Sequence, residues 1–160
     1  MVDWPPSGPI PYDEILERQI FKESRGNPEA VSPAGARGLT QIMPGTEQYL
    51  KDKGLIPEDF NVFDPDQARM AQQKLMSNLM DRSWNRGSEE VKIAKALAAY
   101  NAGSGRVVNI LNQEKERGTD IYDSLDWLEA MPLETRDYVQ KILGYNDKFE
   151  TEWEDFLGVL

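Results

Sequence analysis

Leu16 and Ile20 lie on one side of a helix predicted over residues 12–25. Asp13 and Glu14 stand in its first turn, where the helix dipole favours negative charge, and Gly26 followed by Pro28 marks its end. Over residues 27–43 the density of Gly, Pro and Ser predicts irregular backbone, with at most a small hairpin around 39–43. A short helix over 46–53 stops at Gly54, and 55–63 reads as a loop. Asp64-Pro65-Asp66-Gln67 is a helix start, with a capping Asp, Pro in the first turn and Gln three residues after the cap. That helix runs to about residue 84, with Ala68, Ala71, Leu75, Leu79 and the stem of Arg82 along one side and Met70, Met76 and Met80 as core filler.

Ser88, followed by Glu89 and Glu90, opens the next helix. Its run over 92–99 is small and apolar, which suits a central helix that others approach closely. It ends at Tyr100-Asn101-Ala102-Gly103, and 104–117 reads as a further helix. After Gly118 come an element over 122–131 and a last core helix over 132–143. Residues 145–160 are acidic with spaced aromatics (Phe149, Trp153, Phe156), a helix lying on the domain or docking to a neighbour. The fold class is mainly α, a bundle of about seven to nine helices with at most one small hairpin. Three segments follow: a Pro-rich lead-in over 1–11, a main domain over 12–144 and an acidic C-terminal helix or tail over 145–160.

Composition narrows the chemistry. The 160 residues, 39% hydrophobic and 29% charged, suffice for one compact domain with a sizeable core. A net charge of −10 argues against a nucleic-acid partner, because affinity there comes from neutralising phosphates. The chain has no Cys and no His. That removes disulfides, thiol nucleophiles, Ser-His-Asp triads and His- or Cys-based metal sites, and neither a metal nor a cofactor is expected. Acid–base work near neutral pH then falls to a carboxylate, a Lys or a Tyr. No apolar run approaches the length of a membrane span, and the N-terminal MVDWPPSGPIP lacks the basic start and apolar stretch of a signal peptide.

One carboxylate stands out. With Leu16 at zero and about 100° per residue, Ile20 falls at about 40°, Gln19 at about 300° and Glu23 at about 340°. Glu23 therefore shares the stripe that faces the core, away from Glu17 and Arg18. Held against apolar side chains, a carboxyl has its charged form disfavoured and its pKa raised, as a general acid requires. From helix position alone, an acid bending out to water is the more ordinary reading.

Around Glu23 a dense motif follows: Glu23-Ser24, Asn27-Pro28, Ser32, and Gly35-Ala36-Arg37-Gly38-Leu39-Thr40-Gln41-Ile42-Met43-Pro44-Gly45-Thr46. With Ala98-Ala99-Tyr100-Asn101-Ala102-Gly103 and Pro132-Leu133-Glu134-Thr135-Arg136-Asp137-Tyr138-Val139, it resembles the catalytic domain of the soluble lytic transglycosylases, goose-lysozyme-like enzymes that cut peptidoglycan. The resemblance spans about residues 12–143. It implies that 12–144 is a catalytic domain of lysozyme-like fold with Glu23 as its single acid/base. Glu23 would protonate the bridging oxygen, then take the proton of the muramic acid 6-hydroxyl as that group closes a 1,6-anhydro ring. It also implies that Ser32, Gln41 and Met43 line the cleft, that the Tyr100 hydroxyl holds or tunes Glu23, and that Asn101, Glu134 and Tyr138 serve binding or support. Each has a structural reading beside the functional one. Ser32 can be a turn hydroxyl next to Pro33, Gln41 a surface residue on a short strand, Met43 core, Tyr100 an aromatic cap, Asn101 a turn former, Glu134 a first-turn Glu and Tyr138 packing.

The middle helix departs from the family pattern, carrying Ala68, Gln72, Leu75 and Met76 where members have an Asn, a Gly and a Tyr-Leu. A water-using hydrolase on the same fold would need a second carboxylate, for which Asp52, Asp59 and Asp64 are available. A non-catalytic wall-binding or virion-structural module is the rival from another class. The resemblance implies peptidoglycan glycan strands as partner and the cell wall as site of action. Without a signal peptide, the expected route there is a virion, a lysis pore or membership of a longer exported protein, with other subunits of a virion or secretion assembly as further partners.

Overall fold

A computed structural model of the chain describes residues 8–158. The first seven residues of the Pro-rich lead-in and the last two of the C-terminal tail lie outside the described residues. The described residues form α1 (Tyr12–Ser24), α2 (Pro44–Asp52), α3 (Pro65–Met80), α4 (Glu89–Ala102), α5 (Ser104–Glu116), a 3-10 helix (Asp126–Ala130), α6 (Leu133–Ile142) and α7 (Asp147–Gly158). The expected hairpin is reduced to isolated antiparallel bridges, Val31 with Arg37 and Arg37 with Ile42. The chain divides into two compact units, Tyr12–Ser77 and the remainder, and the boundary falls near the C-terminal end of α3.

In the N-terminal unit α1 buries Ile15, Leu16, Ile20 and Phe21, and Ile20 joins Leu39 and Ala68 in one apolar cluster. The α1–α3 contact also has a polar seam. Gln72 donates through Nε2 to the Leu16 carbonyl (2.9 Å) and to Gln19 Oε1 (2.8 Å), and all these atoms are buried. Arg18 corrects the sequence expectation, being only 2% exposed although the wheel places it on the solvated side. A helical wheel gives the Cα direction, whereas a long aliphatic stem can lie along apolar surface. Its guanidinium sits 4.0 Å from Glu14, one turn earlier. The chain leaves α1 through two successive left-handed residues, Arg25 (φ 57°) and Gly26 (φ 82°). Arg25 N still bonds the Phe21 carbonyl (3.0 Å), and its guanidinium lies 4.5 Å from the centroid of the Phe21 ring.

α2 starts two residues before its predicted position, with Pro44 in the first turn and Met43 extended before it. α3 is capped as expected: the Gln67 amide donates to Asp64 Oδ1 (3.0 Å). The Gln67 side chain, however, accepts from Asn61 N (2.8 Å) rather than closing a capping box.

In the remaining unit α4 is the central helix the sequence suggests, with every side chain from Ile93 to Ala99 buried. Ser88 Oγ caps it by accepting from Val91 N. α3 ends at Met80 rather than at residue 84, and Asn85 shows why. Its Nδ2 donates to the Leu79 carbonyl (3.1 Å) and to the Lys92 carbonyl (3.0 Å), which turns the chain from α3 into α4. Gly103 (φ 88°) ends α4 and opens α5, and both α5 and α6 pack on α4. Trp127 fills this core without exposure, and α7 buries Phe149 and Trp153.

Candidate functional site

Glu23 occupies the last turn of α1 and is half-buried. Its neighbour Ser24 is buried and closes the helix end onto the loop. Ser24 Oγ lies 2.6 Å from the Leu39 carbonyl and 3.2 Å from the Ile20 carbonyl, and it accepts from Gly26 N (3.2 Å). Asn27 follows as an Asx turn, its Oδ1 accepting from Glu29 N (3.0 Å). The glutamate therefore sits where a helix stops and a hydrogen-bonded loop begins.

That loop is built almost wholly from backbone satisfied by side chains. Ser32 Oγ accepts from Ala36 N (3.0 Å), so Ser32 acts as the turn hydroxyl and keeps its own proton to donate. Gln41 adopts a left-handed conformation (φ 52°). Its Nε2 donates to the Ala30 carbonyl (3.1 Å) and the Gly38 carbonyl (2.9 Å). Both amide protons go to backbone oxygens, so what Gln41 can offer a ligand is an acceptor, Oε1. Gly38 (φ 81°) is required for space as well as conformation, since a Cβ there would lie 2.1 Å from the Val62 carbonyl oxygen. Thr40 Oγ1 donates to the Ala68 carbonyl (3.1 Å), fastening the loop to α3.

Met43 is 41% exposed, which rules out its core reading. Val31, beside Ser32, is exposed as well. Arg37 pairs through its backbone with Ile42 and through Nη2 with Glu47 of α2 (2.8 Å), and Glu47 also accepts from Lys51 (3.0 Å). Sequence reasoning gave no role to Ser24, Arg37 or Thr40. The signal for Ser24 was a hydroxyl at a helix end, able to bond back to the carbonyl four residues earlier. Among the alternative carboxylates, Asp64 caps α3 and Asp52 accepts from Gln48 (2.9 Å).

Tyr100, Asn101, Glu134 and Tyr138 belong to the other unit. Tyr100 lies in the last turn of α4 and is half-buried. Asn101 Oδ1 accepts from the buried Thr135 hydroxyl (2.8 Å) and so ties the end of α4 to the first turn of α6. Glu134 is exposed in that same first turn. Tyr138 is 2% exposed, and of its two readings, packing or subsite wall, this burial fits packing.

Residues 15–122 match the family described as Transglycosylase SLT domain. The chain belongs to this family. As an SLT domain it is 33% identical over 142 residues to the soluble lytic murein transglycosylase of Escherichia coli K12, covering 86% of this chain and 20% of that protein. The crystal structure of the 70 kDa soluble lytic transglycosylase from Escherichia coli superposes with a TM-score of 0.69 at 28% identity, over 92% of this chain and 23% of that one. An inactive Glu-to-Gln mutant of lytic transglycosylase Slt from Pseudomonas aeruginosa gives a TM-score of 0.63 at 28% identity, over 89% and 22% of the two chains. The SLT domain described here thus spans about a fifth of the length of these relatives. The mainly helical, lysozyme-like fold expected from the sequence is the fold they share.

Proposed function

We propose that this SLT domain is a peptidoglycan lytic transglycosylase that cleaves the β-1,4 bond between N-acetylmuramic acid and N-acetylglucosamine. The observation that carries the reading is Glu23, half-buried in the last turn of α1 and followed by a loop held by Ser24, Ser32 and Gln41. The carbonyl end of a helix disfavours a negative charge, and partial burial acts in the same direction. The relatives' names as lytic murein transglycosylases, and a relative inactivated by one Glu-to-Gln change, support the same assignment.

In the reaction, the Glu23 proton passes to the bridging oxygen as the bond from that oxygen to the muramic acid anomeric carbon breaks. The departing N-acetylglucosamine leaves with a free hydroxyl. The substrate's own acetamido group stabilises the positive anomeric centre. The Glu23 carboxylate then takes the proton of the sugar's 6-hydroxyl while the 6-oxygen bonds the anomeric carbon. This closes the 1,6-anhydro ring, restores the acid and consumes no water. Gln41 Oε1 accepts from an N–H or hydroxyl of the sugar, the Ser32 hydroxyl donates, and Met43 supplies apolar contact. Tyr100, Asn101 and Glu134, which match the family's motifs, take supporting or binding roles, and Asn101 also ties α4 to α6 through Thr135. The substrate makes the cell wall the site of action.

Mass spectrometry of digested peptidoglycan tests the reaction. Anhydro ends, one water lighter than hydrolysed ends, are expected; hydrolysed ends alone would make the chain a muramidase. Glu23→Gln is expected to lower wall clearing by about 10²–10⁴-fold with the fold intact. Equal clearing by both proteins would remove Glu23 from the mechanism. No clearing by the parent chain would favour a binding module.

A further inference from the structure

A cavity of about 230 Å³ opens between the segment joining α3 to α4, the last turns of α5 and the loop after Gly118. Trp84, Val108, Leu111 and Tyr122 give it apolar and aromatic walls, and Arg86 and Lys115 supply charge. No acidic side chain lines it, in a chain whose net charge is −10. Tyr122 gathers positive charge there: Lys115 Nζ lies 5.8 Å from its ring centroid and Lys95 Nζ 5.3 Å. The nearest acid in this electrostatic group, Asp120, is engaged by the Tyr122 and Asp123 amides (2.9 and 3.0 Å). Arg86 commits Nε to the Ser83 carbonyl (3.1 Å), which leaves its Nη atoms for a ligand.

The walls are braced before any ligand arrives. Ser88 N donates to the Tyr122 carbonyl (3.0 Å), and Lys95 Nζ donates to the Arg86 carbonyl (2.7 Å). A Cβ on Gly87 would lie 2.2 Å from the Tyr122 carbonyl oxygen, so the two loops meet where only glycine fits. Arg86 of the cavity wall lies just before the start of α4, whereas Tyr100 lies in its last turn, about 16 Å along the helix axis from Glu89.

We infer that this cavity is a second binding site, for a carboxylate-bearing muramyl peptide. The inference rests on the peptidoglycan reading above for its choice of ligand. A volume below the roughly 300–1,000 Å³ of drug-sized sites takes a fragment, one sugar ring or the first residues of a stem peptide. The apolar walls receive its C–H faces and methyl groups, and Lys115 and Arg86 receive its carboxylate. The site would hold the muramyl peptide of a strand while the chain cuts elsewhere.

The test is an NMR titration of the intact chain with muramyl dipeptide, following the Trp84 indole and the amides of Arg86, Lys115 and Tyr122. Saturable shifts are expected, at least tenfold weaker in affinity for Lys115→Ala and for Arg86→Ala, with both variants keeping well-dispersed spectra. N-acetylglucosamine, which lacks the carboxylate, should leave these signals unmoved. Equal shifts with N-acetylglucosamine, or with inorganic phosphate at the same concentration, would overturn the muramyl-peptide assignment. Absence of pocket shifts in a protein that clears cell walls would overturn the site and leave the catalytic reading standing. Pocket shifts in a protein that clears no wall would uphold the site while the catalytic reading fell.

Discussion

The Ser24 hydroxyl lies 2.6 Å from the carbonyl oxygen of Leu39. One side chain thereby joins the residue after Glu23 to the apolar run that carries Gln41. Ser24→Ala leaves the Leu39 carbonyl and the Gly26 amide without this partner, at an expected cost of about 1–3 kcal/mol. Thermal unfolding should record a Tm lower by about 2–4 °C per kcal/mol. Wall clearing should fall further than the loss of folded protein explains, because the turn after Glu23 loosens.

Gly38 and Gly35 offer a paired test of space against conformation. Both have positive φ, 81° and 95°, but a Cβ on Gly35 would meet nothing within 4 Å. Gly35→Ala should cost about 1–2 kcal/mol for the left-handed backbone alone. Gly38→Ala must also push back the Val62 carbonyl and should cost at least about 1 kcal/mol more. Urea denaturation of the two variants would show it; equal midpoints would mean that the 38–62 contact yields freely.

Gln41→Glu sets an acceptor against two carbonyl oxygens that the native amide serves as donor. At neutral pH a loss of about 2–3 kcal/mol is expected. Part of it should return in acid, where the protonated carboxyl can donate one hydrogen bond. Gln41→Leu should show no such recovery. Denaturation midpoints at pH 7 and pH 4 distinguish the two.

Burial lowers the Lys95 ammonium to a pKa of about 8, with Asp120 opposing the shift. Between pH 8 and the unfolded value near 10.5 the unfolded chain binds more protons than the folded one, so this group adds stability as pH rises. Below pH 8 the folded state carries the cost of a buried charge. Relative to Lys95→Met, the parent chain should therefore gain stability from pH 8 to 10.5, on the order of 2 kcal/mol. A constant difference across that range would contradict the shift.

What the sequence made legible follows from how local each signal is. Ser88 before Glu89, Asp64 before Pro65 and Gly103 after Ala102 are contained in a few residues, and they locate the helix ends closely. The end of α3 depends on Asn85 reaching back to Leu79 and forward to Lys92, contacts that exist only once the chain has turned. Arg18 was misread because the path of a long side chain is not fixed by its wheel angle. At the candidate site, the motif singled out Glu23 and its loop for the proposal made above. The use of both Gln41 amide protons was hidden, because Ala30 and Gly38 meet that side chain only in the folded loop. The Met43 and Tyr138 alternatives depended on exposure, a property of the packed unit.

The exit from α1 through Arg25 and Gly26 has a longer reach than one turn. The helix cannot lengthen past this point unless both residues flip hand, and it cannot shorten without giving up the Arg25–Phe21 bond. The left-handed pair and the Ser24 hydroxyl, which bonds the Leu39 carbonyl, together fix where α1 stops and so the height of Glu23.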